Sequence, residues 1–185
     1  MELADAIRSR RSVRKYTDYY VSDEEITELM EAARWAPSWA NSQVWEYIVV
    51  RERGLIEKTT ATYSKKNPAI KGSLAATALI AVCAKTGVSG CYAGENVTKF
   101  SNWFMFDLGL SVQNLCLKAH ELGLGTVVVG LMDQDACKKV LQVPEGYDLV
   151  AVIPIGRPAG EAKDGPPRKA LKDFVHRDTF GNPFA

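Results

Sequence analysis

Residues 77–83, Thr-Ala-Leu-Ile-Ala-Val-Cys, make an unbroken run with no charge and no polar–apolar alternation. A strand of that composition cannot show either face to water, so it demands a central place in a sheet with a layer packed on each side. Three further segments read as strands: 45–50, rich in aromatic and β-branched residues, then 126–129 and 149–155. Helical patterns separate them and dominate the first third. One sheet covered by helices, an α/β or α+β sandwich, is what this order permits. A chain of 185 residues suits one domain with a sizeable core and is short for two.

The helical patterns carry their own boundaries. Leu3, Ala6 and Ile7 share one face of a short first helix. Ser22 followed by Glu25 is a capping box, opening a helix that buries Ile26, Leu29, Met30 and Ala33 and ends before Pro37. A weaker helix spans about 55–63 and is broken by Lys65-Lys66-Asn67-Pro68. The longest is expected over 97–122, with a stripe through Phe104, Leu108, Ser111, Leu115 and Ala119 and a stop at Gly123. Asp133 caps a short helix carrying Ala136, Val140 and Leu141. After Gly156 the chain turns to Gly, Pro and charge, yet its tail keeps Phe174, Val175, Phe180 and Phe184. An extended arm lying on a partner subunit accounts for apolar side chains in so irregular a segment.

Charge and cysteine usage exclude several classes. A net charge of +1 disfavours non-specific nucleic-acid binding. No apolar run approaches the length of a membrane span, and the first residues lack a basic stretch followed by an apolar one. Cys83, Cys91, Cys116 and Cys137 form no C-x-x-C pair and read as thiols of a reducing cytoplasm. Two distant histidines leave no ligand spacing for a metal. Neither a dinucleotide-binding glycine turn nor a P-loop is present, so a nucleotide-like ligand has to be held some other way.

Three segments carry candidate chemistry. The first packs five cations into nine residues, Arg8-Ser9-Arg10-Arg11-Ser12-Val13-Arg14-Lys15-Tyr16. In an extended segment Arg10, Ser12 and Arg14 project to one side and can clamp a phosphate; a solvated helix C-terminus is the plainer alternative. The second, 36–45, sets Ser38, Asn41, Ser42 and Gln43 just before a strand, where they suit the polar edge of a flavin or an ordinary turn. The third, 122–130, has glycines at both ends of a strand, where a flat ligand can approach the backbone or a helix can simply end. Arg157, Arg168 and Lys169 add late cations in Pro-rich loops.

The succession Arg-x-Arg-Arg-Ser-x-Arg-x-Tyr, Ala-Pro-Ser-x-x-Asn-x-Gln-x-Trp, Gln113-Asn114-Leu115 running into Leu122-Gly123-Leu124-Gly125-Thr126, Gly156-x-Pro158 and Pro167-Arg168-Lys169 resembles the FMN-dependent nitroreductase family. That resemblance implies an α+β three-layer sandwich, a central mixed β-sheet flanked by helices, in an intertwined homodimer with FMN at the subunit interface. It implies a single domain over 1–185 whose arm, about 157–185, wraps the partner. By the family pattern Arg10, Arg11, Ser12 and Arg14 hold the ribityl phosphate and the pyrimidine edge, with Arg168 and Lys169 near the same phosphate. Pro37, Ser38 and Asn41 reach the flavin from the other subunit, Gln43 sharing their loop. Lys71 stands on the pyrimidine side, and Val129 and Gly130 lie beside the ring near N5. Trp39, Trp103 and Phe104 are the candidates for the substrate pocket, Trp39 having the dimer interface as its alternative place.

The chemistry so implied belongs to the cofactor. NADH or NADPH reduces the flavin at N5, and a nitroaromatic, quinone or related small acceptor reoxidises it in a ping-pong cycle that needs no side-chain nucleophile and no metal. Flavin storage or sensing, and a different flavin reaction such as dehalogenation or dehydrogenation, are the alternatives. Val44 replaces the usual proline, and Trp39 a usually small residue.

Overall fold

The computed structural model describes residues 1–160 and 165–184. Its centre is a four-stranded sheet in the order β1-β2-β6-β5. β2 (Ala78–Lys85) is buried along all but its last residue, as its unbroken apolar composition requires. It pairs antiparallel with β1 (Trp45–Val50) on one side and with β6 (Tyr147–Gly156) on the other. β5 (Gly125–Thr126) completes the sheet, antiparallel to β6. The four strands all pair antiparallel, and a single parallel bridge between Ser12 and Thr126 brings the basic segment to that outer edge.

Side-chain alternation along β2 defines the two flanking layers. Ile80, Val82 and Ala84 face a core shared with α2 (Asp23–Arg34) and α5 (Phe104–Glu121). Leu79, Ala81 and Cys83 face a second core with Ile56 of α3 (Arg53–Ala61), Ile70 of α4 (Ile70–Ala75) and Cys137 of α6 (Gln134–Val140). The result is a helix–sheet–helix sandwich of the α+β class. The register shifts at Val82/Cys83, and from Ala151 to Gly156 β6 is buried on both faces.

The capping box forms as the sequence demands: Ser22 Oγ accepts from the Glu25 amide at 3.1 Å, and Glu25 Oε2 accepts from the Ser22 amide at 2.8 Å. α2 and α5 are joined by polar ties, Ser111 Oγ to the Ala33 carbonyl at 2.9 Å and Asn114 Nδ2 to the Ala32 carbonyl at 3.2 Å. The stripe expected on α5 is buried throughout. Asp133 caps α6 through the Ala136 amide at 2.9 Å. All four cysteines are free thiols.

Several expectations change. α5 begins at Phe104 rather than near Val97, because Thr98 Oγ1 takes up the Phe100 amide and Trp103 Nε1 in a local turn; ahead of it the loop folds into a hairpin of β3 (Cys91–Tyr92) and β4 (Glu95–Asn96) with left-handed Ala93 and Gly94 at its tip. The strand expected over 126–129 keeps one register along β6 but pairs only at its ends, as β5 and at Val129–Val152. α4 restarts the chain beyond the Lys65–Pro68 break. α1 (Leu3–Ser9) buries only Ala6, leaving Leu3 and Ile7 exposed. Of the arm expected over 157–185, residues 161–164 and 185 lie outside the described residues. The remainder turns at Leu171–Asp173 and doubles back through a bridge between His176 and Pro183. No helix among the described residues is long and apolar enough to cross a membrane.

Candidate functional site

The basic segment leaves α1 as extended chain. The Val13 amide donates to the Thr126 carbonyl at 2.9 Å, and the Thr17 amide to the Arg157 carbonyl at 2.9 Å. Val13 turns inward onto Gly125, where a Cβ would lie 2.6 Å from a Val13 methyl, so glycine is what lets the two backbones meet. Ser12 and Arg14 stand exposed on the other side, with Arg10 half-buried. The alternation stops at Tyr16, which is buried. Its hydroxyl lies 2.7 Å from the Val13 carbonyl and 3.1 Å from the Pro154 carbonyl, with one proton to give. Burial pushes its phenol well above the ordinary range.

Arg11 behaves differently from its neighbours. Its Nη1 donates to the carbonyls of Arg8 and Arg10 at the end of α1, while its Nε is buried without a partner among the described residues. Gly165 passes directly over that nitrogen: a Cβ there would lie 2.7 Å from Nε. No carboxylate among the described residues pairs with Arg10, Arg11 or Arg14. The unbalanced positive potential is felt nearby. His120, bonded at 2.7 Å to Ser9 Oγ, is held below its ordinary value first by burial and then by Arg10 and Arg11.

Two further predicted elements meet this segment. Gly72 of α4 presses on the Arg14 carbonyl, which a Cβ would approach to 2.5 Å, and Lys71 stands exposed beside it. At the end of the 125–129 run Val129 is buried, whereas Val128 and Gly130 are exposed and a Cβ on Gly130 would touch nothing within 4 Å. The Gly130 carbonyl accepts from Gln134 Nε2 at 2.9 Å, which fixes that turn. Arg168 and Lys169 are exposed just beyond the Gly165 contact, and no described hydrogen bond or ion pair joins them to the basic segment. Arg157 stacks on Tyr19 at 3.7 Å and has a structural use.

The Ser38–Gln43 turn forms a second group. Ala40, Asn41 and Gln43 all have positive φ (45°, 55° and 47°) without being glycine, a concentration of backbone strain that only surrounding contacts maintain. Ser38 Oγ accepts from the Gln43 amide at 2.9 Å, and Gln43 Nε2 donates to Asn41 Oδ1 at 3.2 Å. Pro37 is exposed at its entrance. Trp39 leans on Trp103, centroids 5.2 Å apart at 43°, and Trp103 meets Phe106 edge-on at 5.6 Å. Phe104 does not join them; its side chain is buried in the α2–α5 core, and exposed Phe106 stands in the place expected of it.

Asp107 was not anticipated. Its buried carboxylate accepts from the Trp39 amide at 3.0 Å and from Ser89 Oγ at 2.7 Å. The signal available in sequence is a lone acid inside the buried stripe of α5, between Phe104 and Leu108. No described hydrogen bond or ring contact links this aromatic group to the basic segment. A groove of about 380 Å³ between β1, α3 and α6, lined by Val50, Arg51, Leu55 and Leu141, holds none of the predicted residues. Among the described residues no group of three or more His, Cys, Asp or Glu could hold a metal ion.

Comparison with known proteins gives this geometry a context. A profile of the Nitroreductase family matches residues 7–157. An Archaeoglobus fulgidus protein named as an NADH dehydrogenase/NAD(P)H nitroreductase is 31% identical over 98% of this chain and 94% of its own. A Methanothermobacter thermautotrophicus protein of the same name is 32% identical over 86% of this chain and 78% of its own. Among solved structures, a Desulfovibrio desulfuricans nitroreductase in complex with FMN superposes with a TM-score of 0.77 at 27% identity, covering 97% of this chain and 98% of that one. The match of the family profile to most of the chain, with relatives covered over 78% or more of their own length and in the same fold, settles the kinship: this chain belongs to the nitroreductase family.

Proposed function

We propose that the chain is an FMN-dependent oxidoreductase that takes hydride from NADH or NADPH and delivers it to a nitroaromatic, quinone or related flat acceptor. It works as one domain in a homodimer, its C-terminal arm lying on the partner. The observation that carries the proposal is the extended run from Arg10 to Arg14. It is pinned to the Gly125–Thr126 edge with Ser12 and Arg14 facing outward and no carboxylate partner among the described residues. The residues fit a flat anionic group: outward hydroxyl and guanidinium donors at Ser12 and Arg14, and an open glycine backbone at Gly130.

When bound, FMN supplies reversible hydride chemistry at its N5. Arg10, Ser12 and Arg14 hold the phosphate and the pyrimidine edge, with Lys71 beside them, and Arg168 and Lys169 approach from the arm. Arg11 shapes the segment by closing the end of α1. Cationic side chains at the pyrimidine edge favour negative charge there, so they bind and tune together. Val129 and Gly130 present a flat backbone surface. Pro37, Ser38, Asn41 and Gln43 are supplied by the partner, which agrees with their lack of contact with the basic segment of their own chain. Exposed Met105 on α5, and Phe180 and Phe184 on the arm, are the apolar surface that a second copy covers.

Purified protein is expected to be dimeric by light scattering, to bind FMN, and to lose flavin absorbance under anaerobic NADH or NADPH. Replacing Arg10 and Arg14 together by Ala lowers FMN affinity by about tenfold or more in a fluorescence titration. Unchanged affinity would remove the phosphate clamp from the proposal. A yellow protein that neither nicotinamide bleaches would favour storage or sensing instead.

A further inference from the structure

Among the described residues Asp107 is the only acid buried in the core, and it has no cationic partner there. Burying a carboxylate on two neutral donors costs stability unless the bonds it makes are needed. Those bonds join loops that are far apart in sequence. Oδ1 holds the backbone of Trp39 at the start of the strained turn, and Oδ2 holds Ser89 in the loop ahead of α5. Ser89 adjoins Gly90, over which the Trp103 ring is laid; a Cβ at Gly90 would lie 2.4 Å from Trp103 Cδ1. Trp103 is fixed again at the adjoining ring atom, Nε1 donating to Thr98 Oγ1 at 2.6 Å. One carboxylate therefore sets the backbone beneath both rings of the Trp39–Trp103 pair, and α5 carries Phe106 next to it.

We propose that Asp107 is the positioning residue for an aromatic wall, Trp39–Trp103–Phe106, on which a flat aromatic or quinoid acceptor stacks. The inference rests on the flavin-oxidoreductase reading above. Asp107 never touches the acceptor; it acts by holding two loops at one height so that the rings lie close and tilted. The role is geometric rather than electrostatic, and this makes it separable. Asn at 107 keeps an acceptor for the Trp39 amide and offers an N–H to the Ser89 oxygen, whereas Leu of similar size leaves both loops unheld.

Asp107→Leu, Asp107→Asn and Ser89→Ala are compared with the wild type, with cooperative thermal melts showing that each is folded. In cofactor-free protein the exciton-coupled circular-dichroism signal of the tryptophan pair is lost in Asp107→Leu, weakened in Ser89→Ala and retained in Asp107→Asn. In the FMN-loaded enzyme Asp107→Leu and Ser89→Ala raise KM for nitrobenzene by about fivefold or more, while turnover with ferricyanide, which needs no stacking, changes by less than about twofold. Ser89→Ala keeps the question open to decision should Asp107→Leu fail to fold. Asp107→Asn behaving like Asp107→Leu, or an unchanged KM for nitrobenzene in a folded Ser89→Ala, overturns the proposal. Wild-type protein that takes up no FMN overturns the functional reading and the acceptor role with it, and the dichroism then decides the clamp alone.

Discussion

Gly72 governs how near α4 comes to the basic segment. With its missing Cβ only 2.5 Å from the Arg14 carbonyl, Gly72→Ala forces either the helix or the Arg14 backbone to move. A cost of about 1–3 kcal/mol is expected in urea unfolding, together with weaker FMN binding because Arg14 shifts. Gly130 gives the opposite case. A methyl there meets none of the described residues, so Gly130→Ala leaves the urea midpoint unchanged and lowers FMN affinity only if a flat ligand lies against that backbone. The pair of variants separates a residue that builds the site from one that borders it. Only the second role was legible in sequence, where Gly130 ends a strand that a flat ligand can approach; Gly72 reads there as ordinary punctuation.

At the level of elements, local signals and tertiary demands agree in some places and compete in others. Ser22 Oγ accepts only from its own helix, the one outside bond of the box being Tyr19 hydroxyl to Glu25 Oε1 at 3.0 Å, so Ser22→Ala should lower stability by about 1 kcal/mol in a denaturant melt while FMN affinity stays the same. That box, the stripe of α5 and the central strand were legible because each is written in residues adjacent in sequence or one helical turn apart. The start of α5 was not. Thr98 Oγ1 accepts from the Phe100 amide at 3.2 Å as well as from Trp103, a local turn that outcompetes the helix across residues whose apolar spacing suggests one. α4 was hidden by the break signal before it, since Asn67 Oδ1 accepts from the Ala69 amide at 2.9 Å in a turn that leads into an uncapped helix just where the sequence reads as a stop. Of the candidate site, the basic run and the polar turn could be named from sequence. For Asp107 the one signal is a lone acid within a buried stripe, with no spacing to give it a role, and Phe104 and Phe106 differ only in the face on which they fall.

On the scale of the whole molecule, groups that must stay neutral are spread through both cores and make the fold sensitive to alkali. Burial, ahead of every other cause, pushes Tyr63 up to about 12 from 10.0 and Cys83 up to about 12 from 9.0. Tyr16, Tyr47, Cys116 and Cys137 move in the same direction. The folded chain thus holds more protons than the unfolded one at high pH. The stability these groups contribute is whole below about pH 9 and drains away as pH climbs toward 12. Thermal melts taken across that window should fall steadily, and a melting temperature that stays flat from pH 9 to 12 would contradict this. The same tyrosine that titrates late also fixes when the site can exist. Tyr16 and its neighbours are anchored to Thr126, Pro154, Arg157 and Ala159, all more than a hundred residues downstream. During synthesis the arginines emerge first and wait as loose chain until the last strand leaves the ribosome. Cofactor loading is thereby a late event in the life of each chain, and a chain cut short before residue 150 has its cations and Thr126 but lacks the strand that holds that edge in the sheet.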